Sequence, residues 1–295
     1  MAKTTSATQR VAVISVRTMT PADVPLADDL RRLAGWNQSR RDWLGYLEFD
    51  PHGCFVAEVD GVAQGTATTI RYDGRVGWIG MVLVHPEQRR RGVGTALLQH
   101  AISWLQGQRI AAIKLDATPM GRPVYLPLGF RDEYAVTRYV GKAQARTGEM
   151  AAGVSALRPT DLPEVAELDA SWFGVARPRV LTSLSERDPE YGFVARHNAR
   201  VVGYLIARVG ADRLQIGPWG AETPAIAEGL LQAFLHQAQG RQVLLDVPGP
   251  NNAGPSLLSR HGLSIQRGYT RMVLGENICP GQPEKIFGTS AAEKG

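Results

Sequence analysis

Two cysteines, Cys54 and Cys279, are all the thiols in 295 residues. That is too few for a disulfide framework, and nothing is spaced around them as a metal-ligand set would be. No metal is expected. Long hydrophobic runs are missing as well. No window approaches the ~20 apolar residues that a membrane span requires, and the apolar run at 11–16, behind a polar N-terminus, is too short for the core of a secretory signal. The reading is a cytoplasmic protein with no membrane partner. Charge of one sign is scarce: 33 lysines and arginines face 28 aspartates and glutamates, a formal net charge of +5. Without a recognition motif beside it, so mild an excess points to no nucleic-acid partner, and that class is the least supported. Two common phosphate-binding patterns are absent too. There is no Gly-Lys-Ser/Thr and no Rossmann glycine spacing followed by a ribose-binding acid.

What is present is ordinary globular material, 44% hydrophobic and 21% charged, which excludes wholesale disorder. The length favours two domains. A strand is expected at 11–17. Thr20-Pro21-Ala22-Asp23 then reads as a helix start, with Thr at N-cap, Pro at the first helical position and an acid at N3. That helix runs to about Leu33 and ends at Gly35. A second helix is expected over 39–48, and 54–59 with 62–71 form a hairpin turned by Asp60-Gly61. The strand at 75–84 is apolar on both faces, as in the middle of a covered sheet. An amphipathic helix follows, carrying Val93, Ala96, Leu97, Ala101, Trp104 and Leu105. Then come a buried strand at 110–115, a short helix over 119–128 and a long strand at 130–140.

The polar, small-residue stretch 141–149 reads as a linker, after which the pattern starts again. Asp161-Leu162-Pro163 echoes Asp23-Val24-Pro25, Phe193-Val194-Ala195 echoes Phe55-Val56-Ala57, and Thr270-Arg271-Met272 echoes Thr137-Arg138-Tyr139. Landmarks recurring roughly 135 residues apart point to two copies of one α/β unit.

The chemistry concentrates where the 75–84 strand meets its helix. Arg89, Arg90 and Arg91 lead into Gly92-Val93-Gly94-Thr95. Free backbone N–H groups, the positive end of a helix dipole and fixed cationic charge meet at one point, and phosphate is the natural ligand there. Gly92 and Gly94 would let the main chain approach it closely. The corresponding segment of the second copy, 217–224, has no arginine and carries Glu222, which would repel a phosphate. The second copy is expected to keep the fold and to have lost this site.

Over roughly residues 12–140 the first copy resembles the GNAT superfamily of acetyl-CoA-dependent N-acyltransferases. Its signature, Arg/Gln-x-x-Gly-x-Gly/Ala, is met by Arg89-Arg90-Arg91-Gly92-Val93-Gly94, between a strand ending Val84-His85-Pro86 and an amphipathic helix. Farther on, Val124-Tyr125-Leu126-Pro127-Leu128-Gly129-Phe130 looks like the second motif, a Tyr shortly before a Gly-Phe pair. The resemblance implies an α/β (α+β) fold of two tandem GNAT-like domains, each a mixed central sheet flanked by helices. The limits would be a catalytic domain at 11–141, a linker at 142–152, a degenerate copy at 153–275 and a tail at 276–295 that docks across the domains or hangs free.

It also implies acetyl-CoA as co-substrate, with the amides from about Arg89 to Thr95 on the pyrophosphate. Val82, Leu83 and Val84 would lie along the pantetheine, where a main-chain N–H polarises the thioester carbonyl. Tyr125 would be the general acid for the departing sulfur. Thr118 stands where many relatives have an Asn touching the cofactor. The connection between the first two helices, with Trp36 and Asn37, would line the acceptor pocket, Trp36 offering its face to a charged amine. No residue identifies itself as the base; His85, Glu48 and Asp50 are candidates. The expected reaction is direct transfer of acetyl to a primary amine of a small molecule or peptide, and a homodimer is compatible with this. A non-catalytic acyl-CoA-binding sensor remains the alternative.

Overall fold

The computed structural model describes residues 12–144 and 151–295. Residues 1–11, which include the start of the first expected strand, and 145–150, at the centre of the expected linker, lie outside the described residues. Short-range signals hold where they could be read. The amides of Thr20 and Ser39 each donate to the carboxylate three residues on, Asp23 and Asp42, at 2.8 Å. These capping boxes open the helical turn 21–23 with α1 (Val24–Ala34), and α2 (Arg40–Phe49). Gly35 closes α1 at φ +65°, a left-handed conformation that glycine adopts without strain.

The first half is an antiparallel meander of β1 (Ile14–Thr18), β2 (Cys54–Val59), β3 (Val62–Tyr72) and β4 (Val76–Val84). Next, α3 (Val93–Gly107) crosses to β5 (Ala112–Ala117), parallel to β4. The short α4 (Arg122–Tyr125), continued by a tight turn at 126–128, leads to β6 (Arg131–Lys142). Buried Val93, Leu97, Ala101 and Leu105 hold α3 to one sheet face. Each such leucine contributes about 1.5–3 kcal/mol by leaving water.

The second half repeats the order: β7 (Val154–Ala156), α5 (Leu162–Phe173), α6 (Pro178–Arg187), β8 (Gly192–His197), β9 (Arg200–Val209), β10 (Leu214–Ala221), α7 (Pro224–Gln237), β11 (Gln242–Pro248), α8 (Gly254–Arg260) and β12 (Ser264–Gly275). The strand expected to end at Ile216 runs on to Ala221 through an irregularity at Gly217-Pro218. The short β13 (Ile286–Gly288) then pairs with β10.

The two halves are not separate sheets. The strand order is β1-β2-β3-β4-β5-β12-β6-β11-β10-β9-β8-β7. The last strand of each copy has crossed over: β12 pairs with β5 of the first half, and β6 pairs with β11 of the second. Limits of 11–141 and 153–275 therefore follow the chain in order but do not assign β6 and β12 to the sheet they complete. On one face, α1, α2, α5 and α6 enclose a shared core in which Trp43, Tyr46 and Trp78 meet Trp172 and Phe173. The end of the chain threads into it. Thr289, Ser290, Ala291, Glu293 and Lys294 are all buried, so this segment docks.

Candidate functional site

Parallel pairing of β4 with β5 stops after Val76, Gly77 and Trp78. Beyond it, Met81 takes a left-handed φ of +49°, and the register with β3 shifts between Thr66 and Thr68. This bulge turns β4 away from β5 and leaves one backbone edge of Ile79–Val84 without a neighbouring strand, an edge that an extended amide-bearing ligand can pair with. The bulge also breaks the simple alternation of faces: Val82 and Val84 come to line a cavity of about 670 Å3 in the opening, with Leu83. That size suits a small-molecule ligand.

The mouth of the cavity is the arginine–glycine turn. After Arg89, the next amide to close a turn is that of Ala96, to Gly92 O at 2.9 Å; the amides from Arg90 to Thr95 have no partner among the described residues. Arg90 and Gly92 hold φ of +61° and +87°, which tips successive N–H groups to one side as in other anion-binding nests. Arg89, Arg90, Gly92, Gly94 and Thr95 line the cavity. Arg91 does not; it donates to Gln88 Oε1 at 2.8 Å. Val93 does not either, being part of the core under α3.

On the opposite wall, the Tyr125 ring leans on Phe130 at 6.0 Å between centroids, and burial pushes its phenol up to about 12. Thr118 lines the cavity while its hydroxyl oxygen accepts the Gly121 amide at 3.0 Å, stabilising the turn that carries Tyr125. Trp36 also lines the cavity, but Asn37 is turned away. Its side chain donates to Arg213 O and accepts the amides of Asp212 and Arg213, tying the α1–α2 connection to the second half. Gln38 takes the place expected of Asn37 at the cavity wall. None of the three candidate bases lines the cavity. Asp50 is held by Arg71 at 3.0 Å, Glu48 belongs to a groove between α2 and α6, and His85 to one beside α1.

Six polar residues of the wall were not anticipated: Gln38, Asp116, Arg138, Arg267, Tyr269 and Glu293. Asp116 receives two hydrogen bonds from Arg271 of β12, at 2.8 and 2.9 Å. Arg138 and Arg267 come from the exchanged strands, each with its guanidinium 5.0 Å from the centre of the Tyr269 ring. Glu293 is carried in by the chain end. A Cβ on Gly80 would come within 2.8 Å of Glu293 Cβ, so a glycine there is what lets the segment lie against the bulge. The Glu293 carboxylate accepts from Gln38 Nε2 at 2.7 Å, Lys294 Nζ at 2.8 Å and Arg208 Nη2 at 3.0 Å. Burial alone would raise its pKa, but Lys294 and Arg208 outweigh that and hold it below the usual carboxylate range.

Both halves of the chain match known acetyltransferase profiles. The profile described as the acetyltransferase (GNAT) family matches residues 25–130, and one described as an acetyltransferase (GNAT) domain matches 165–288. The chain belongs to the GNAT acetyltransferase family, with two domains in tandem. YitH of Bacillus subtilis (strain 168), described as an uncharacterized N-acetyltransferase, is 26% identical over 197 residues, 66% of this chain and 67% of that one. A putative acetyltransferase from Pyrococcus horikoshii shares the fold with a TM-score of 0.81 at 23% identity, covering 100% of this chain and 99% of its own. A tandem GNAT protein from the clavulanic acid biosynthesis pathway gives 0.64 at 18%, covering 88% and 98%.

The second GNAT domain differs at the corresponding cleft. There β10 and β11 pair only at Leu214 and Gln215 before parting, and β13 fills the opening. Trp219 and Gly220 pair with Gly288 and Ile286, Thr289 donates its amide to Asp246 O at 2.8 Å, and Asn251 Nδ2 donates to Ile286 O at 2.8 Å. The head of α7 is closed as well, with Thr223 Oγ1 accepting the Ile226 amide at 3.3 Å. Glu222, expected to repel a phosphate here, pairs with Arg200 at 2.7 Å. The chain's own end thus occupies the place that is open in the first GNAT domain.

Among the described residues no helix is long and apolar enough to cross a membrane.

Proposed function

We propose that the first GNAT domain transfers acetyl from acetyl-CoA to a primary amine of a small molecule or peptide by direct attack. The observation that carries this is the run of unpartnered amides from Arg90 to Thr95 at the mouth of a cavity whose wall is an unpaired strand edge. Those amides and the α3 dipole suit a pyrophosphate, with Arg89 and Arg90 supplying charge. The free edge of β4 suits the amides of a pantetheine arm, with Val82, Leu83 and Val84 beside it.

In that pose the neutral amine nitrogen attacks the thioester carbonyl carbon, and a main-chain N–H past the bulge stabilises the oxyanion. The tetrahedral intermediate collapses by breaking the C–S bond; Tyr125 donates its phenolic proton to the departing sulfur, the attacking nitrogen releases its extra proton to solvent, and the Tyr125 phenolate takes one back from solvent. A phenol pushed up to about 12 is present as the acid at any working pH. Thr118 keeps a hydroxyl hydrogen free for the cofactor. The test is release of free CoA thiol from acetyl-CoA with a panel of amines, with acetylated product identified by mass. CoA binding without thiol release on any amine would leave a sensor module instead.

A further inference from the structure

Two side-chain atoms in the cavity wall are buried without a hydrogen-bond partner among the described residues: Gln38 Oε1 and Arg267 Nε. One is an acceptor and the other a donor. The Gln38 amide cannot exchange its ends at no cost, because its Nε2 faces the ionised Glu293 carboxylate, which only accepts. Gln38 is 6% exposed, so its Oε1 lacks a protein donor and has little access to water. A buried carbonyl left in this state costs about 1–3 kcal/mol unless a ligand supplies the N–H. Trp36 lines the same cavity and offers its ring face to a cation.

Arg267 stands directly across from Arg138 in the β12–β6 register. Like charges opposite one another in a sheet are ordinarily destabilising. Arg138 is neutralised by Asp246, which takes its Nε and Nη2 at 2.7 Å each. Arg267 makes no ion pair among the described residues, and its guanidinium lies over the ring of the neutral Tyr269. The other charges in the wall behind the phosphate loop are already balanced: Asp116 by Arg271, and Glu293 by Arg208 and Lys294. One uncompensated guanidinium remains there, with a second guanidinium beside it. A planar anion fits this fork, and a carboxylate fits it best.

Resting on the acetyl-transfer reading above, we propose that the acceptor is an amine that also carries a carboxylate, of the amino-acid class. Its amino group lies against Gln38 Oε1 and Trp36, and its carboxylate against Arg267 with Arg138. The exchanged strand β12 and the α1–α2 connection thereby read the two ends of one substrate. Neither alone distinguishes an amino acid from a plain amine.

The experiment uses the full chain and matched acceptor pairs, each an amino acid and the amine left when its carboxylate is removed: tyrosine with tyramine, lysine with cadaverine, histidine with histamine. Thiol release from acetyl-CoA is expected to show at least a tenfold higher kcat/KM for the carboxylate-bearing member of the preferred pair. Arg267→Gln should collapse that ratio towards one through the acceptor KM, and Arg267→Lys should restore part of it. Equal kcat/KM within every pair would overturn the inference. So would an Arg267→Gln effect that falls on the KM for acetyl-CoA, since that would place the guanidinium on a cofactor phosphate. Calorimetric titration of the CoA-saturated protein with the same pairs reads the preference without turnover. If CoA binds but no acceptor releases thiol, acetyl transfer is refuted, and the titration still decides the acceptor class.

Discussion

Arg138 donates from Nε and Nη2 to the two carboxylate oxygens of Asp246, 108 residues along the chain, at 2.7 Å each. Arg271 does the same to Asp116 across a separation of 155 residues. The two pairs are images of one another in the repeat, and each joins an exchanged strand to the half it completes. All four groups are buried, and burial without a partner is what such charges cannot tolerate. Removing one partner typically costs about 3–5 kcal/mol. Asp246→Ala and Asp116→Ala should each lower the stability measured by urea titration by about that much. A loss below about 1 kcal/mol in both would mean the exchanged strands are held by other contacts.

At Gly92 two demands coincide, a φ of +87° and a position at the cavity mouth. An L-residue there costs about 1–2 kcal/mol in backbone conformation alone, and an acidic one also opposes phosphate. Gly92→Asp should weaken acetyl-CoA binding at least tenfold by calorimetry while the circular dichroism spectrum keeps its native shape. Unchanged affinity would remove the turn from the cofactor site.

The second cleft holds β13, so CoA should bind with a stoichiometry of one per chain. Two equivalent sites in a calorimetric titration would show that β13 leaves its place between β10 and β11.

Tyr125→Phe retains the ring against Phe130 and deletes only the proton donor. Turnover should drop by roughly a hundredfold, the low end of general acid catalysis, with little change in CoA affinity. Because burial raises the phenol to about 12, its acid form persists, and kcat should show no alkaline fall from this group between pH 7 and 10. An unaltered kcat in the variant would exclude Tyr125 from the chemistry.

Asp42 is surrounded by Arg187 at 2.9 Å, Arg208 at 3.0 Å and Lys294 at 3.3 Å. Burial works to raise its pKa, but the three cations prevail and hold it well below the ordinary carboxylate range; Glu293 is lowered likewise. Both groups bind protons less readily folded than unfolded. Their stabilisation is complete above the unfolded value near ~4 and is lost as pH falls through the depressed folded values. The urea midpoint should therefore decline steeply below pH 4, and Arg208→Gln should flatten that decline. An acid limb of the same slope in both proteins would assign it to other carboxylates.

The local parts of this protein were legible in the residues themselves. Capping at Thr20, the Asp60-Gly61 turn, the buried stripe of α3 and the Arg–Gly turn all depend on neighbours a few positions apart. So does the repeat, because matching landmarks need only a linear comparison. Asn37 was misassigned for the same reason. Its residue type suited a polar pocket, but which way it faces is decided by the 211–213 loop of the other half.

The polar groups of the cavity wall could not be read this way. Arg138, Arg267 and Tyr269 sit on strands that either copy could have kept for itself, since hydrophobic alternation specifies a strand and its faces but not which edge it joins. Glu293 reaches the cavity because Gly80 leaves room for the chain end, and Gln38 loses one donor to that same carboxylate. The sequence alone determined the repeated unit, the Arg–Gly turn and the family resemblance. Only the tertiary structure decided the strand exchange, the closure of the second cleft and the fork of arginines facing the first, because pairing energies along a sheet edge depend on contacts more than a hundred residues distant.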